Sequence, residues 1–398
     1  MDQKERSALT SWITQAGLAG LSEAAMLTEF CERVSALGVP LARANIVIDT
    51  LHPVYRGRAF TWKQQTRHTA LTEYGREDKL RWECSPFYVL ELYEEPLLRR
   101  RVNAETAKEF PILADLLRDG MTDYLAIANR FAAAGVIGNM DCIYSSWATD
   151  APGGFADAHI DDLTRLVPLV ALTMKAASLT RIAGTLVETY LGRDAGRKVL
   201  QGRIERGVAE RIQTVLWFSD LRNYARVSDT AAPEQIIPLL NEYADVILSA
   251  IHQFGGDVLK LIGDGTLAIF PVGERANASR AALDAAAQAR RALAVLNHRR
   301  AAEGLPITEM YLGLHVGEVF YGNIGSRERL DFTVVGPAVN EVSRIANMCR
   351  SLDQPMLVSA PFASALGERS GSLVSVGRYA LRGVAKPQEL FTLDQQAE

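Results

Sequence analysis

Two apolar runs in the C-terminal half of this 398-residue chain lead into aspartates. Residues 214–219 precede Asp220, and a second run begins at Val258, reaches Asp264 and resumes after it. Short runs rich in aliphatic and aromatic residues predict buried strands. A carboxylate at a strand end is held rigidly, and carboxylate oxygens are the ligands that Mg²⁺ prefers. The two runs therefore predict strands whose ends carry ligands for divalent cations.

Taken separately, each polar residue of these runs also has a simpler interpretation. Asp220 suits the N-cap of a helix that follows the strand, since aspartate is favoured there. Asp264 lies between Gly263 and Gly265, and this tripeptide between two apolar runs is typical of a tight hairpin turn. Lys260, inside the second run, suits a solvated position on a strand. The turn and ligand interpretations of Asp264 are compatible, because a hairpin turn is a rigid support.

A third segment places an asparagine and an arginine four residues apart. It begins with Asp331 and continues through Thr333 and Pro337 to Asn340 and Arg344. Proline fits the first turn of a helix, and residues four apart on a helix share one face. Considered alone, such a pair is an ordinary surface feature.

Together the three segments resemble those of the class III nucleotidyl cyclases, and among them the adenylate cyclases. The resemblance spans roughly residues 210 to 398 and implies a ferredoxin-like βαββαβ sandwich for this part of the chain. By that resemblance, Asp220 and Asp264 hold two Mg²⁺ or Mn²⁺ ions per site, and the backbone carbonyl of Leu221 assists one ion. Such ions polarise the α-phosphate and lower the pKa of the attacking 3′-hydroxyl.

The resemblance also implies roles for the other polar residues of these segments. Lys260 and Thr333 would read the purine, because a lysine donates to the unprotonated N1 of adenine and opposes the N1–H of guanine. Asn340 would orient the ribose, and Arg344 would meet the charge that develops on the α-phosphate. Arg382 matches the position where the family places a cation for the terminal phosphates.

These roles imply an adenylate cyclase that converts ATP into 3′,5′-cyclic AMP and pyrophosphate. In the family the metal ligands come from one protomer and the other site residues from its partner, so the resemblance implies a homodimer with two shared sites. Threonine at position 333 resembles a subclass that is often activated by bicarbonate. The alternatives are a guanylate cyclase and a nucleotide-binding regulatory homologue of low activity. A diguanylate cyclase is not favoured, because Val258 follows Gly255-Gly256-Asp257 where an acidic residue and Phe are needed.

Length and composition agree with a two-domain enzyme. A chain of 398 residues exceeds one ordinary domain, and a net charge of −4 provides no basic surface for nucleic acid. The three arginines at 99–101 are predicted to be a solvated helix face. Four cysteines without CxxC spacing indicate reduced thiols. The polar N-terminus and the short apolar stretch at 166–174 predict no membrane span, so we expect a cytoplasmic protein.

Residues 1–178 are predicted to form a separate regulatory domain. Helical periodicity over residues 21–37, four strands and a closing helix over 159–177 resemble a GAF-type sensor domain of α/β composition. The alternatives are a PAS-like domain and an unrelated fold. The predicted strands are residues 43–49, 55–62, 123–128 and 139–147. The resemblance implies a small-molecule ligand whose identity the sequence does not give.

Residues 179–211 are predicted to form a helical signalling linker to the catalytic domain, residues 212–398. Glycines at 192, 196 and 202 interrupt its apolar stripe. The linker either pairs with a second copy in a dimer or packs on its own domain, since the heptads are too few to define a coiled coil. The predicted fold class is α+β and multidomain, with the GAF-like domain preceding the cyclase domain.

Overall fold

A helix of 35 residues, Asp157–Leu191, contains the boundary between two compact units of the chain, Met1–Leu186 and Val187–Glu398. The structure is a computed structural model, and it describes residues 1–75, 79–131, 137–138, 140–272, 275–367, 372–384 and 386–394. Within these ranges each unit has its own sheet and its own buried apolar core.

The first unit is a six-stranded antiparallel sheet with helices on both faces. Its described elements are α1 (Gln3–Leu18), α2 (Glu23–Ala36), β1 (Arg43–Asp49), β2 (Gly57–Lys63), β3 (His68–Tyr74), α3 (Lys79–Glu83), α4 (Pro86–Leu92), β4 (Leu97–Arg101), a 3₁₀ turn (Thr106–Lys108), α5 (Pro111–Arg118), β5 (Asp123–Arg130), β6 (Cys142–Thr149) and α6 (Asp157–Leu191). The strand order is β3-β2-β1-β6-β5-β4.

Alternation along β1 separates the two faces of this sheet, because successive side chains of a strand point to opposite sides. Ile46 and Ile48 are buried in the core that α1, α2 and α6 complete. Val47 belongs to the second cluster, which α4 and α5 cover. Asn45 shares the face of Val47 and lines a cavity there.

Most predicted elements of this unit lie within a few residues of the observed ones. Strands β1 and β5 begin where predicted, at Arg43 and Asp123, and the strand predicted from residue 55 is β2, which begins at Gly57. The strand predicted over 139–147 is β6, and its predicted first residue, Asn139, lies outside the described residues. Strands β3 and β4 and helices α1, α3, α4 and α5 had no predicted counterpart.

The three arginines at 99–101 form strand β4, so the predicted helix face is wrong. Arg99 donates from Nη2 to Asp123 Oδ2 at 2.7 Å, and Arg101 Nη1 lies 3.2 Å from the same buried carboxylate. Arg100 points the other way and pairs with Glu109. Ion-pair partners that alternate with a period of two are typical of a strand. The charge pattern of the sequence alone did not reveal this alternation.

The helix predicted to close the first domain at residue 177 continues to Leu191. Ile182 is buried and Leu186 packs on the same core, so apolar contacts extend the helix. The predicted linker, residues 179–211, thus contains the end of α6, a break at Gly192 (φ +88°), helix α7 (Arg193–Leu200) and the start of strand β7 (Ala209–Leu221).

By length and mean hydropathy, α6 also qualifies as a candidate membrane span, the one such helix among the residues described. Its side chains Leu163, Val167, Val170 and Met174 are buried in the core of the first unit. The core helix of a folded domain meets the same criteria, so the composition of α6 is only a weak indication of a membrane span.

The second unit is built on an eight-stranded sheet. After α7 and β7 its described elements are α8 (Tyr224–Thr230), α9 (Pro233–Gln253), β8 (Asp257–Ile262), β9 (Gly265–Pro271), α10 (Arg275–Ala302), β10 (Met310–Gly325), β11 (Leu330–Val335), α11 (Pro337–Leu352), β12 (Met356–Ser359), α12 (Ala360–Ala365), β13 (Leu373–Tyr379) and β14 (Gln388–Leu393). The order is β13-β14-β12-β10-β7-β9-β8, and β11 pairs with β10. The segment from β7 to β10 has the predicted βαββαβ succession, with α8 inserted.

Strand β7 is central and divides the core of this unit. Val215 and Trp217 belong to the cluster that α9 and α10 cover, whereas Leu216 belongs to the cluster that includes Val342 of α11. Strand β10 pairs antiparallel with β7 over the full length of β7. The strand that carries Asp220 is therefore held by hydrogen bonds on both sides and by packing on both faces.

Helix α11 lies unusually close to β10 at Gly313. A Cβ atom placed on Gly313 would be 2.7 Å from the backbone nitrogen of Ala346 and 2.8 Å from the carbonyl oxygen of Val342. These are backbone atoms of α11, which cannot move aside as the end of a long side chain can. Glycine at this position thus allows α11, the helix with Asn340 and Arg344, to seat against the sheet.

We expect Gly313→Ala to lower the free energy of unfolding by about 1–3 kcal/mol, because the added methyl group would force β10 and α11 apart. In the control Gly184→Ala, within α6, the methyl group meets nothing within 4 Å, so stability is expected to stay the same or rise slightly. Urea unfolding followed by tryptophan fluorescence measures both. Equal stability of the two variants would contradict the tight seating of α11.

Candidate active site

Strand pairing brings Asp220 and Asp264 into one cluster. Strand β7 ends one residue after Asp220, and the hairpin of β8 and β9 presents Asp264 beside it through the pairing of Ser219 with Thr266. The backbone N–H of Leu221 donates to Asp264 Oδ2 at 3.2 Å. The Asp264 carboxylate therefore lies against the residue that follows Asp220.

The structure also decides between the simpler interpretations of these two residues. The N-cap of the next helix, α8, is Asn223, so the capping interpretation of Asp220 is wrong. The hairpin interpretation of Asp264 is confirmed, since Gly263 (φ +63°) and Asp264 form the two-residue turn between β8 and β9. A positive φ at the first central residue requires glycine-like freedom and is typical of tight hairpins.

The electrostatic setting of Asp220 is unfavourable for its negative charge. Its Oδ1 atom is buried and has no hydrogen-bond partner among the described residues. Burial, and then the negative charge of Asp264, raises the pKa of Asp220 to about 6, although Arg350 opposes the shift. A divalent cation would supply the missing partner and relieve the repulsion between the carboxylates.

The donor set also fits a hard cation that shares its ligands with a substrate. Within the described residues no cluster of three or more His, Cys, Asp or Glu side chains is present. A structural zinc site would need such a cluster. Mg²⁺ is usually held by one or two carboxylates together with water and substrate phosphates, which matches Asp220 and Asp264.

A second cluster surrounds Lys260. Its Nζ forms an ion pair with Asp331 on β11, and both side chains are about two-fifths exposed, at 38% and 39%. Thr333 lies two residues after Asp331, so the two share a face of the strand, and it is buried. Asp331 thus pairs with Lys260 and shares a strand face with Thr333, and these are the two residues predicted to act together. The sequence analysis assigned no role to Asp331, although its strand alternation with Thr333 was a usable signal.

Helix α11 begins at Pro337, as predicted, and carries the last pair of candidates. Asn340 is exposed and lines a cleft with Gly383, next to Arg382, which is also exposed. The Nε atom of Arg344 is buried and has no hydrogen-bond partner within the described part of the chain. A buried donor of this kind costs free energy unless a ligand supplies an acceptor.

No direct contact joins the two clusters within the described part of a single chain. Among the described residues, no hydrogen bond or ion pair joins Lys260, Asn340 or Arg344 to Asp220 or Asp264. Each set leaves a polar group without a partner: an oxygen of Asp220 in one and a nitrogen of Arg344 in the other. Both atoms are buried, so each carries a desolvation cost that a bound ligand with cations or phosphate would relieve.

Comparison with known proteins points to one enzyme family for this unit. Residues 208–395 match the family model described as the adenylate and guanylate cyclase catalytic domain. Over 160 residues the chain is 34% identical to an adenylate cyclase of Anabaena cylindrica, covering 39% of this chain and 31% of that protein. Over 209 residues it is 31% identical to an uncharacterized protein of Mycobacterium tuberculosis, covering 51% of this chain and 37% of that protein.

Among solved structures, the adenylyl cyclase CyaB from P. aeruginosa is similar with 23% identity and a TM-score of 0.44. The match covers 47% of this chain and 96% of that one. The chain spans only about a third of the length of the two curated relatives.

The raised pKa of Asp220 predicts an unusual pH dependence of stability in the metal-free protein. The native carboxyl binds its proton more tightly than the unfolded chain, whose value is near 3.8, so the native state loses stability as the pH rises from about 4 to about 6. Asp220→Asn removes this loss and is expected to raise the free energy of unfolding at pH 7.5 by about 1–3 kcal/mol.

The measurement is chemical unfolding in EDTA at pH 4 and at pH 7.5. The gain should be absent at pH 4, and the control Asp229→Asn, an exposed residue of α8, should show no gain at either pH. A gain for Asp220→Asn that is the same at both pH values would mean that ionisation of the buried Asp220 carboxyl is not its cause.

Proposed function

We propose that the adenylate and guanylate cyclase catalytic domain in residues 208–395 converts ATP into 3′,5′-cyclic AMP and pyrophosphate. One observation carries the proposal: Asp220 and Asp264 lie together at a strand end and a hairpin turn, with an oxygen of Asp220 left without a partner. Within this enzyme family, two such carboxylates serve nucleotide cyclisation. The N-terminal unit is proposed to be a GAF-like regulatory domain.

Asp220, Asp264 and the backbone carbonyl of Leu221 are proposed to hold two Mg²⁺ or Mn²⁺ ions. When bound, such ions supply Lewis acidity, which lowers the pKa of the attacking 3′-hydroxyl and neutralises phosphate charge. The protein contributes rigidity, because β7 is paired on both edges and the hairpin turn that carries Asp264 is tight and has little conformational freedom. Preorganised ligands of this kind need little rearrangement during the reaction.

Lys260 and Thr333 are proposed to select adenine. The Lys260 ammonium has only hydrogen-bond donors, so it suits the N1 lone pair of adenine and disfavours the N1–H of guanine. The Thr333 hydroxyl can accept from the adenine amino group, but it also donates, so it discriminates less. The ion pair with Asp331 holds the Lys260 side chain toward β11, the strand of Thr333. It also balances the charge of the lysine when no base is bound.

The remaining candidates are proposed to act on the ribose and the phosphates. Asn340 on the exposed face of α11 would orient the ribose so that its 3′-hydroxyl is in line with the α-phosphorus. Arg344 would place its guanidinium against the negative charge that grows on the α-phosphate, and its unpartnered Nε donor is available for this. Arg382, exposed beside the same cleft, would bind the terminal phosphates.

The experiment that tests this function is product analysis with purified protein. ATP or GTP is supplied with Mg²⁺ or Mn²⁺, and the cyclic product is identified by chromatography. We expect cyclic AMP in preference to cyclic GMP, and a further increase with bicarbonate relative to chloride at matched pH and ionic strength. Lys260→Glu should lower the rate with ATP by about 10- to 100-fold, because a carboxylate repels the N1 lone pair.

The matched control for this charge reversal is Lys63→Glu, an exposed lysine of β2, which should keep the wild-type rate. Preferential formation of cyclic GMP would favour the alternative guanylate cyclase. No cyclic product from either nucleotide would favour the regulatory homologue of low activity. A Lys260→Glu protein with an unchanged rate on ATP would exclude Lys260 from the base site.

We further propose that two copies of the chain share each site. Asp220 and Asp264 would come from one protomer, and Lys260, Asn340 and Arg344 from its partner. This fits the two clusters that no described contact joins within one chain. A two-fold dimer would then complete two equivalent sites, because each copy contributes both sets.

Asp220→Ala and Arg344→Ala should each be inactive alone, and mixing them should restore activity. After random exchange half of the dimers are heterodimers with one intact site of two, so the mixture should reach about a quarter of the wild-type rate. Cyclic AMP formation measures this. Mixtures that exchange subunits, shown by differently tagged copies, yet remain inactive would contradict the shared site.

Regulation is proposed to reach the active site through α7. Gly192 separates α6 from α7, and a Cβ there would lie 2.4 Å from the carbonyl oxygen of Val258 on β8. The backbone N–H of Asp194 donates to Asp257 Oδ1 at 3.3 Å, and the Tyr321 hydroxyl donates to the Asp194 carboxylate at 3.1 Å. The connector is thus bound to the strand that carries the proposed base-reading lysine.

Gly192→Ala tests this coupling, because the methyl group would push α7 away from β8. We expect the rate of cyclic AMP formation to fall by at least about tenfold, since displacements near 1 Å are costly for positioned groups. The control is Gly202→Ala, which also has a positive φ (+90°) but meets nothing within 4 Å. Thermal unfolding checks that both variants are folded. Equal rates of cyclic AMP formation in the two variants would then contradict transmission through this contact.

A further inference from the structure

The first unit contains a cavity of about 240 Å³. It lies on the sheet face opposite to α2 and α6, beneath α3, α4 and α5. Its floor is formed by β1, β2, β5 and β6 through alternating side chains such as Asn45 and Thr61, which face each other across the β1–β2 pair. The cavity is separate from every residue assigned to the catalytic unit.

The most informative lining residue is Arg43. Its guanidinium has no hydrogen bond and no ion pair within the part of the chain that the structure describes, and burial lowers its pKa. Asp115 of α5 and Asp119, the residue that follows α5, act on it electrostatically, but neither is within ion-pair distance. An arginine remains protonated in proteins, so a positive charge faces the cavity without a direct ion-pair partner among the described residues. Such a charge is costly to bury, and an anionic ligand would relieve the cost.

The rest of the lining has the same sign of charge. Arg56 and Arg81 also line the cavity, and none of the described lining residues is acidic. Arg56 is balanced by the nearby carboxylate of Asp49, which lies 3.6 Å from it and also accepts from the Tyr74 hydroxyl at 2.8 Å. Within the described residues, Arg43 and Arg81 are therefore the lining charges without an ion-pair partner. The cavity therefore favours a ligand with net negative charge.

Neutral donors next to Arg43 are suited to a small planar anion. Burial raises the pKa of the Tyr124 hydroxyl to about 12, so it remains protonated and able to donate. Asn45 accepts from Thr61 Oγ1 at 2.8 Å through its carbonyl oxygen, which leaves its NH₂ group as a donor. A guanidinium fork with hydroxyl and amide donors is the arrangement that recognises a carboxylate.

Part of the cavity wall is aromatic. Trp82 and Phe87 lie with ring centroids 6.2 Å apart, and both belong to a cluster with Tyr144. The Arg56 guanidinium lies over the Trp82 ring at 5.9 Å. Flat rings of this kind stack favourably on a flat ligand, whereas a hydrated inorganic anion would gain nothing from them.

We propose that this cavity binds a small aromatic carboxylate, with its carboxylate on Arg43 and its ring between the sheet and Trp82. The volume limits the ligand to a compact molecule, and the cationic end and aromatic wall determine its orientation. Binding would order α3 and α4 against the sheet, because both contribute to the wall.

The test is isothermal titration calorimetry of the full chain with benzoate, 4-hydroxybenzoate and indole-3-carboxylate at pH 7.5, each compared with its neutral amide. We expect at least one carboxylate to bind with a Kd below about 1 mM, and its amide to bind at least about tenfold more weakly. Arg43→Met should weaken binding of the carboxylate by at least about tenfold. The control Arg165→Met, an exposed arginine of α6, should leave binding unchanged.

Ala59→Leu provides a second variant that changes no charge. Ala59 lines the cavity, so the larger side chain should fill it and abolish binding, while thermal unfolding shows that the protein remains folded. The proposal is overturned if none of the three carboxylates binds, if the amides bind equally well, if Arg43→Met binds like wild type, or if inorganic phosphate displaces the carboxylate at equal concentration. Heat of binding does not depend on catalysis, so failure here leaves the proposed cyclase activity untouched.

Discussion

Two carboxylates held side by side in a partly buried place are the constraint on which the second unit depends. Asp220 and Asp264 repel each other, and the unpartnered oxygen of Asp220 adds a desolvation cost. A flexible support would let them separate, and the proposed cation site would be lost. The fold prevents this by placing one residue near the end of a central strand and the other in a two-residue turn, joined by the N–H of Leu221. The structure thus keeps an unfavourable arrangement that a bound cation would make favourable.

The same logic extends to the groups proposed to meet the nucleotide. Within the described residues, Arg344 keeps a buried donor without a partner, and Lys260 is held by an ion pair at a partly exposed position. The first arrangement is costly and the second is weak in the free protein, and the proposed phosphate and base would stabilise both. Their frame is correspondingly tight, because Gly313 allows backbone contact between β10 and α11. A rigid frame around unsatisfied groups is typical of preorganised binding sites.

The first unit repeats this pattern with the opposite sign of charge. Among the described residues, Arg43 faces a cavity without a direct ion-pair partner, beside aromatic rings and protonated donors. If a ligand fills this cavity, the helices that form its wall become more ordered, and α6 leads from the same unit toward α7. Because α7 is bound to β8 through Asp194 and Asp257, a change in the connector would act on the strand that carries Lys260. A regulatory signal would need no contact with a catalytic residue.

The sequence by itself determined the elements and residues whose signals are local. Apolar runs predicted β7, β8 and β9, the Gly-Asp-Gly turn predicted the hairpin, and Pro337 marked the start of α11. Contacts between residues distant in sequence were decided only by the tertiary structure: the ion pair of Lys260 with Asp331 and the contact of Leu221 with Asp264. Sheet register produces these contacts, and no local pattern encodes it. The cavity at Arg43 and the extension of α6 past residue 177 likewise depend on packing, because whether a side chain finds a partner is known only when the surrounding elements are in place.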